Sequence, residues 1–96
     1  MLYAAKCYWP GISASEFERD AAIRLAQTRS DRAPDPAYLG SLVFDGDELV
    51  LCLYEGSSRA AVMDAARSAR IPCERIMKSA WLPATDTPLS TPGRLA

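Results

Sequence analysis

The chain has 96 residues, about half of them apolar, and its 11 basic and 12 acidic side chains leave a net charge of −1. That length holds one core and not two, and a domain this small encloses only roughly 60–65% of the surface its unfolded chain exposes, so a partner subunit would add to its burial. The near-neutral balance supplies no field for gathering phosphates or an anionic membrane, which argues against nucleic acid and membranes as partners.

The sequence shows neither a charged start followed by a secretory apolar stretch nor an apolar run near the length of about 20 that spans a bilayer. A cytoplasmic location is expected. Abundant arginine and alanine fit a GC-rich bacterial genome. Cys7, Cys52 and Cys73 are odd in number and lack C-x-x-C spacing, so free thiols are expected rather than a disulfide framework or a zinc site.

In chain order, LYAAKCYW (2–9) reads as a strand stopped by Pro10-Gly11. Ser13-Ala14-Ser15-Glu16 is a capping box that starts a helix, with Ile12 and Phe17 placed as a hydrophobic staple. Ala14, Phe17, Ala21 and Leu25 form its apolar stripe, and Ile23 falls among polar residues. SDRAPDPA (30–37) reads as a loop, because proline disfavours helical geometry for itself and its predecessor. YLGSLVF (38–44) and ELVLCLY (48–54) then read as a hairpin around a tight Asp45-Gly46-Asp47 turn. Gly56-Ser57-Ser58 opens a second helix with Val62, Ala65, Ala66 and Ala69 on its inner stripe. Pro72 ends that helix, and CERIMKSAWL (73–82) reads as the last strand. The division is a domain over 1–82 and a Pro/Thr-rich tail over 83–96 with too little apolar content to order itself.

The order β-α-β-β-α-β predicts an α+β, ferredoxin-like fold: a four-stranded antiparallel-type sheet in the order 4-1-3-2, strands one and three parallel in the middle, both helices on one face. Two helices cover one face only. Lys6 cannot lie comfortably beneath them, so Tyr3, Ala5, Cys7 and Trp9 are expected under the helices and Leu2, Ala4, Lys6 and Tyr8 on the open side. The leucines of LVLCLY are expected to meet the helices, leaving Val50, Cys52 and Tyr54 on the open face. Such an apolar face predicts a face-to-face homodimer of the dimeric α+β barrel type, with a small cavity at the sheet.

Residues 41–77 carry a more specific pattern: Ser41, the Asp-Gly hairpin, Cys52-Leu53-Tyr54-Glu55, a serine-capped helix with Val62, then Ile71-Pro72 and Glu74-Arg75-Ile76. The pattern resembles a family of small bacterial proteins recorded as a domain of unknown function, one member of which is described as nickel-binding. The resemblance covers roughly residues 2–80 and implies a ferredoxin-like, usually dimeric fold with a capacity for metal or small-molecule binding. Relatives often carry a histidine in the second helix near the position of Ala65, and this chain has no histidine. Nickel favours imidazole ligands, so the fold is carried over and no metal or other cofactor is assigned.

Candidate ligand-binding residues are Lys6, Tyr8, Cys52, Tyr54 and Glu55. A cation among phenols suits an anionic or enolic ligand, and Glu55 beside the second helix N-terminus could orient it or act as a base. Cys52 in an apolar strand is expected to stay protonated and to pack rather than react. The reading is a small-ligand-binding homodimer. Its alternatives are a cofactor-independent monooxygenase, isomerase or cyclase acting on an aromatic or polyketide-like molecule, and a structural or regulatory dimer module.

Overall fold

The computed structural model describes residues 1–27 and 35–84. Residues 30–34 of the expected loop and 85–96 of the expected tail lie outside them. Four strands form one antiparallel sheet: β1 (Leu2–Tyr8), β2 (Ala37–Phe44), β3 (Leu49–Glu55) and β4 (Cys73–Ser79), in the order β2-β3-β1-β4. Helix α1 starts as Ala14–Glu16, widens into a π-helical segment at Phe17–Ala21 and finishes as Ala22–Gln27, while α2 is Arg59–Ser68.

One directional expectation is corrected. β1 and β3 are antiparallel, not parallel. The first helix carries the chain back so that β2 runs in the direction of β1, and the hairpin then reverses β3 against both. Every neighbouring pair in the sheet is consequently antiparallel.

The second correction concerns β3. Its register places Tyr54 opposite Tyr3, Cys52 opposite Ala5 and Val50 opposite Cys7, so these side chains share one face. That face carries the helices: Val50, Cys52 and Tyr54 are fully buried in one cluster with Phe17, Leu25 and Val62. Leu49, Leu51 and Leu53 point to the open face, reversing the expectation, whereas Tyr3, Ala5 and Cys7 lie beneath the helices as expected. Strand pairing gives the physical reason, since β3 must share the alternation that Lys6 imposes on β1.

The helix signals are largely realised. Ser13 caps α1 by accepting from the Glu16 N–H at 3.3 Å, but the Glu16 carboxylate accepts from the Ser13 hydroxyl at 3.2 Å instead of returning to its N–H. The Ala22 N–H reaches the Phe17 carbonyl, and this wider turn keeps Phe17, Ala21 and Leu25 buried while leaving Ala14 and Ile23 exposed. Ser58 caps α2 by accepting from the Ala61 N–H at 3.1 Å.

The hairpin is looser than expected. Phe44 pairs with Leu49, leaving Asp45–Glu48 as the connection, and Gly46 (φ 86°) and Glu48 (φ 56°) both adopt left-handed geometry. Glu48 thus belongs to the turn and not to β3. β4 ends at Ser79, so Trp81 and Leu82 follow the strand as exposed residues.

Candidate functional site

The five expected ligand residues divide among three places. Lys6 and Tyr8 project from β1 on the open face, Cys52 and Tyr54 lie under the helices, and Glu55 stands at the exposed end of β3. They do not come together in one place among the described residues.

On the open face, Lys6 lies opposite Leu51 on one side and Arg75 on the other. Its ammonium is 3.8 Å from Glu74 Oε1, a partly exposed pair. Arg75 forms no ion pair among the described residues. Leu51, Leu53 and Met77 are half-buried around these cations, and Leu42 and Phe44 remain exposed on the same face of β2. Two cations directly opposite each other repel, and Glu74 offsets that repulsion on the Lys6 side. Tyr8 donates to Glu48 Oε1 at 3.0 Å, and that carboxylate holds the phenol proton and raises its pKa above the ordinary value. Glu48 Oε2 also accepts from the Gly11 N–H at 2.8 Å, tying the hairpin to the end of β1.

Glu55 accepts from the amino terminus at Met1. This explains its position without a ligand, and it does not reach the helix N-terminus as a base. The Gly56-Ser57-Ser58 turn is likewise occupied by the protein itself: Asp35 accepts from the Ser57 N–H at 2.9 Å and from its hydroxyl at 2.6 Å.

Beneath the helices, a row of polar and soft groups crosses the sheet. Tyr38 and Ser41 on β2 share a hydrogen bond between their hydroxyls, and Ser41 stands opposite Cys52 on β3. Cys52 lies diagonal to Cys7 across the β1–β3 pair, and Cys7 stands opposite Cys73 on β4. The neighbouring Cys52 sulfur and burial hold the Cys7 thiol far above its usual range, whereas the polar neighbours Cys7 and Ser41 lower the Cys52 thiol against the opposing effect of burial. The Tyr54 phenol is pushed well above its ordinary pKa, first by burial, and its hydroxyl has no hydrogen-bond partner among the described residues. Its ring rests 5.6 Å from that of Tyr38.

A separate shallow cleft of about 310 Å³ lies between Trp9, Ile12 and the outer side of the π-helical turn, bounded by Glu16, Arg19 and Asp20. It contains none of the five expected residues. Among the described residues no group of three or more His, Cys, Asp or Glu side chains is arranged to hold a metal ion.

Sequence reasoning did not single out Arg75, although its place in the pattern Glu74-Arg75-Ile76 was visible. The expected strand order already paired β4 with β1; the missing information was their register, which sets Arg75 opposite Lys6. Ser41 was legible as part of a motif, but not as the neighbour of Cys52.

No family model and no curated protein matches the chain. The chain is similar to a solved structure described as the crystal structure analysis of SCO4226 from Streptomyces coelicolor A3(2), with 17% identity and a TM-score of 0.65. The match covers 95% of this chain and 100% of that one. At that identity the likeness speaks to the fold alone.

Proposed function

We propose that the chain is one protomer of a ferredoxin-like homodimer of the dimeric α+β barrel type, and that it binds a small anionic ligand on its open sheet face. The carrying observation is the pairing of Lys6 with Arg75 inside an apolar surface built by Leu51, Leu53 and Met77. Hiding such leucines against a second sheet is favourable by roughly 25 cal/mol per Å² before the cost of association is subtracted. An anionic head with an apolar body would satisfy both the cations and their surroundings. The resemblance to the small bacterial family of unknown function supports the same dimer; metal binding is not part of the proposal, because the chain has no histidine.

A binding role is favoured over a cofactor-free enzyme by one arrangement. Of the groups suited to shuttling a proton, Cys52 and Tyr54 face away from Lys6 and Glu55 is paired with the amino terminus. On the Lys6 face, Tyr8 has its hydroxyl occupied by Glu48, and Glu74 is the counter-ion of Lys6 itself.

Light scattering during size-exclusion chromatography should give twice the 10.5 kDa chain mass. Leu51→Glu should give the single mass, and a wild-type monomer at micromolar concentration would overturn the dimer. Thermal-shift titration with alkyl and aryl carboxylates tests the ligand. Lys6→Ala and Arg75→Ala should each weaken binding about tenfold or more, the loss expected for a hydrogen bond to a charged group. Affinity unchanged in both variants would remove these cations from the site while leaving the dimer standing.

A further inference from the structure

Three cysteines far apart in sequence meet on one face of the sheet. Cys52 lies on β3, Cys7 on β1 and Cys73 on β4, which are neighbours in that order. Exposure is graded along the row. Cys7 and Cys52, on inner strands, are fully buried, while Cys73 on the edge strand β4 is partly exposed. All three are free thiols.

Register distinguishes the two neighbours of Cys7. Cys73 is directly opposite it. Directly opposite residues on antiparallel strands have Cα atoms about 4.5–5.5 Å apart, inside the range of about 4.4–6.8 Å that a disulfide spans. Cys52 is opposite Ala5 and therefore diagonal to Cys7, at a spacing of about 7–8 Å where bridging requires backbone movement. The extra residue of an irregular register falls beside the Cys7–Cys73 pair, and such a bulge bends the strand and re-aims its side chains locally. In the reduced chain the two thiols point to carbonyls, Cys7 Sγ donating to Ala5 O at 3.6 Å and Cys73 Sγ to Arg75 O at 3.5 Å.

We propose that Cys73 is a modification site for low-molecular-weight disulfides, and that Cys7 resolves the adduct into an intramolecular Cys7–Cys73 bridge. In the first step the Cys73 sulfur attacks one sulfur of the small disulfide, its S–S bond breaks, and one small thiol leaves with the proton that Cys73 gives up. In the second, the Cys7 sulfur attacks Cys73 Sγ, the mixed disulfide breaks, and a second small thiol leaves with the Cys7 proton. Two protein thiols are oxidised by two electrons and one small disulfide is reduced to two thiols. The second step is the slower one, because Cys7 is buried and holds its proton. The product staples the edge strand to the centre of the sheet, and Cys52 stays free.

The test is incubation of the full chain with oxidised glutathione, followed by intact-mass measurement and non-reducing peptide mapping. The expected end state is a chain lighter by two hydrogens, with one cross-link joining the Cys7 and Cys73 peptides and Cys52 still alkylatable after unfolding. Cys73→Ser should form neither the bridge nor a glutathione adduct. Cys7→Ala should accumulate the adduct at Cys73. Three results in the wild-type chain would overturn the proposal: a stable adduct on Cys73 with Cys7 free, a bridge containing Cys52, or no modification. These readings require no variant to fold.

Discussion

Tyr54 shows how far a single side chain can depart from what its neighbours prepare for it. It brings a hydroxyl into a fully buried site where Tyr38 offers a ring face but not its oxygen, which is engaged with Ser41. A buried hydroxyl without a partner costs about 1–3 kcal/mol. Tyr54→Phe should therefore stabilise the chain by about 1 kcal/mol in urea denaturation. Lost stability would show that the hydroxyl is satisfied. Lys6 was the most informative residue in the sequence, because one charge fixed the alternation of β1 correctly. β3 offers such a guide only at its last residue. Apolar on both faces, the rest of the strand offers its leucines to the helices as readily as Val50, Cys52 and Tyr54, and Glu48 is no guide because its left-handed backbone removes it from the alternation. The useful charge was Glu55, which shares its alternation with the three leucines and is exposed with the open face.

At the scale of elements, α1 and α2 are joined by one side chain. Arg24 of α1 donates from Nε to the Ala69 carbonyl at 2.7 Å and from Nη2 to the Arg70 carbonyl at 3.3 Å, satisfying groups left open where α2 ends. Asp20 holds the same guanidinium at 2.9 Å. Arg24→Ala should lower stability by about 1–2 kcal/mol, measured by chemical denaturation. The start of α2 depends on a carboxylate. Hydrogen bonds from the Ser57 hydroxyl and N–H hold the Asp35 pKa below its ordinary value. A group with a lowered folded-state pKa stabilises fully above its unfolded value and loses that contribution as the pH falls through the folded one. The melting temperature of wild type should accordingly exceed that of Asp35→Asn at neutral pH, with the gap closing as the pH falls below the ordinary carboxylate range. A gap independent of pH would contradict the role of the charge. Both helices and their caps were legible because serines and apolar stripes announce them locally. The π-helical turn was not, since it arises where Phe17 packs edge-on to Trp9 at 5.8 Å while Leu25 must also reach the core. Ile23 among polar residues was its only trace in the sequence.

Considered whole, the molecule divides its chemistry between two surfaces of one sheet. The helix-covered face holds the thiols with Tyr3, Tyr38 and Tyr54, and the open face holds Lys6, Arg75, Tyr8 and the leucines of β3. The α+β class and the strand order were legible from element order, though not the direction of β3, because short connections and crossovers leave few topologies open. The candidate site was not, because it depends on which residues of distant strands stand opposite one another. Lys6 and Arg75 are brought together by pairing and Lys6 and Tyr54 are separated by it, and neither relation is local in sequence.

The two rims of the sheet are unequal. β4 carries Glu74, Arg75 and Lys78, whose charges discourage a foreign strand from continuing the ladder. β2, at the opposite rim, is AYLGSLVF and has no charge in eight residues. What interrupts it is the irregular register between Tyr38 and Gly40, where Leu39 is extruded and Gly40 takes a φ of 141°. That kink is the rim's built-in protection against templated growth. Deleting Leu39 should restore a regular, uncharged edge, and concentrated samples of the variant should form thioflavin-positive fibrils sooner than wild type, with growth confined to one side of the sheet.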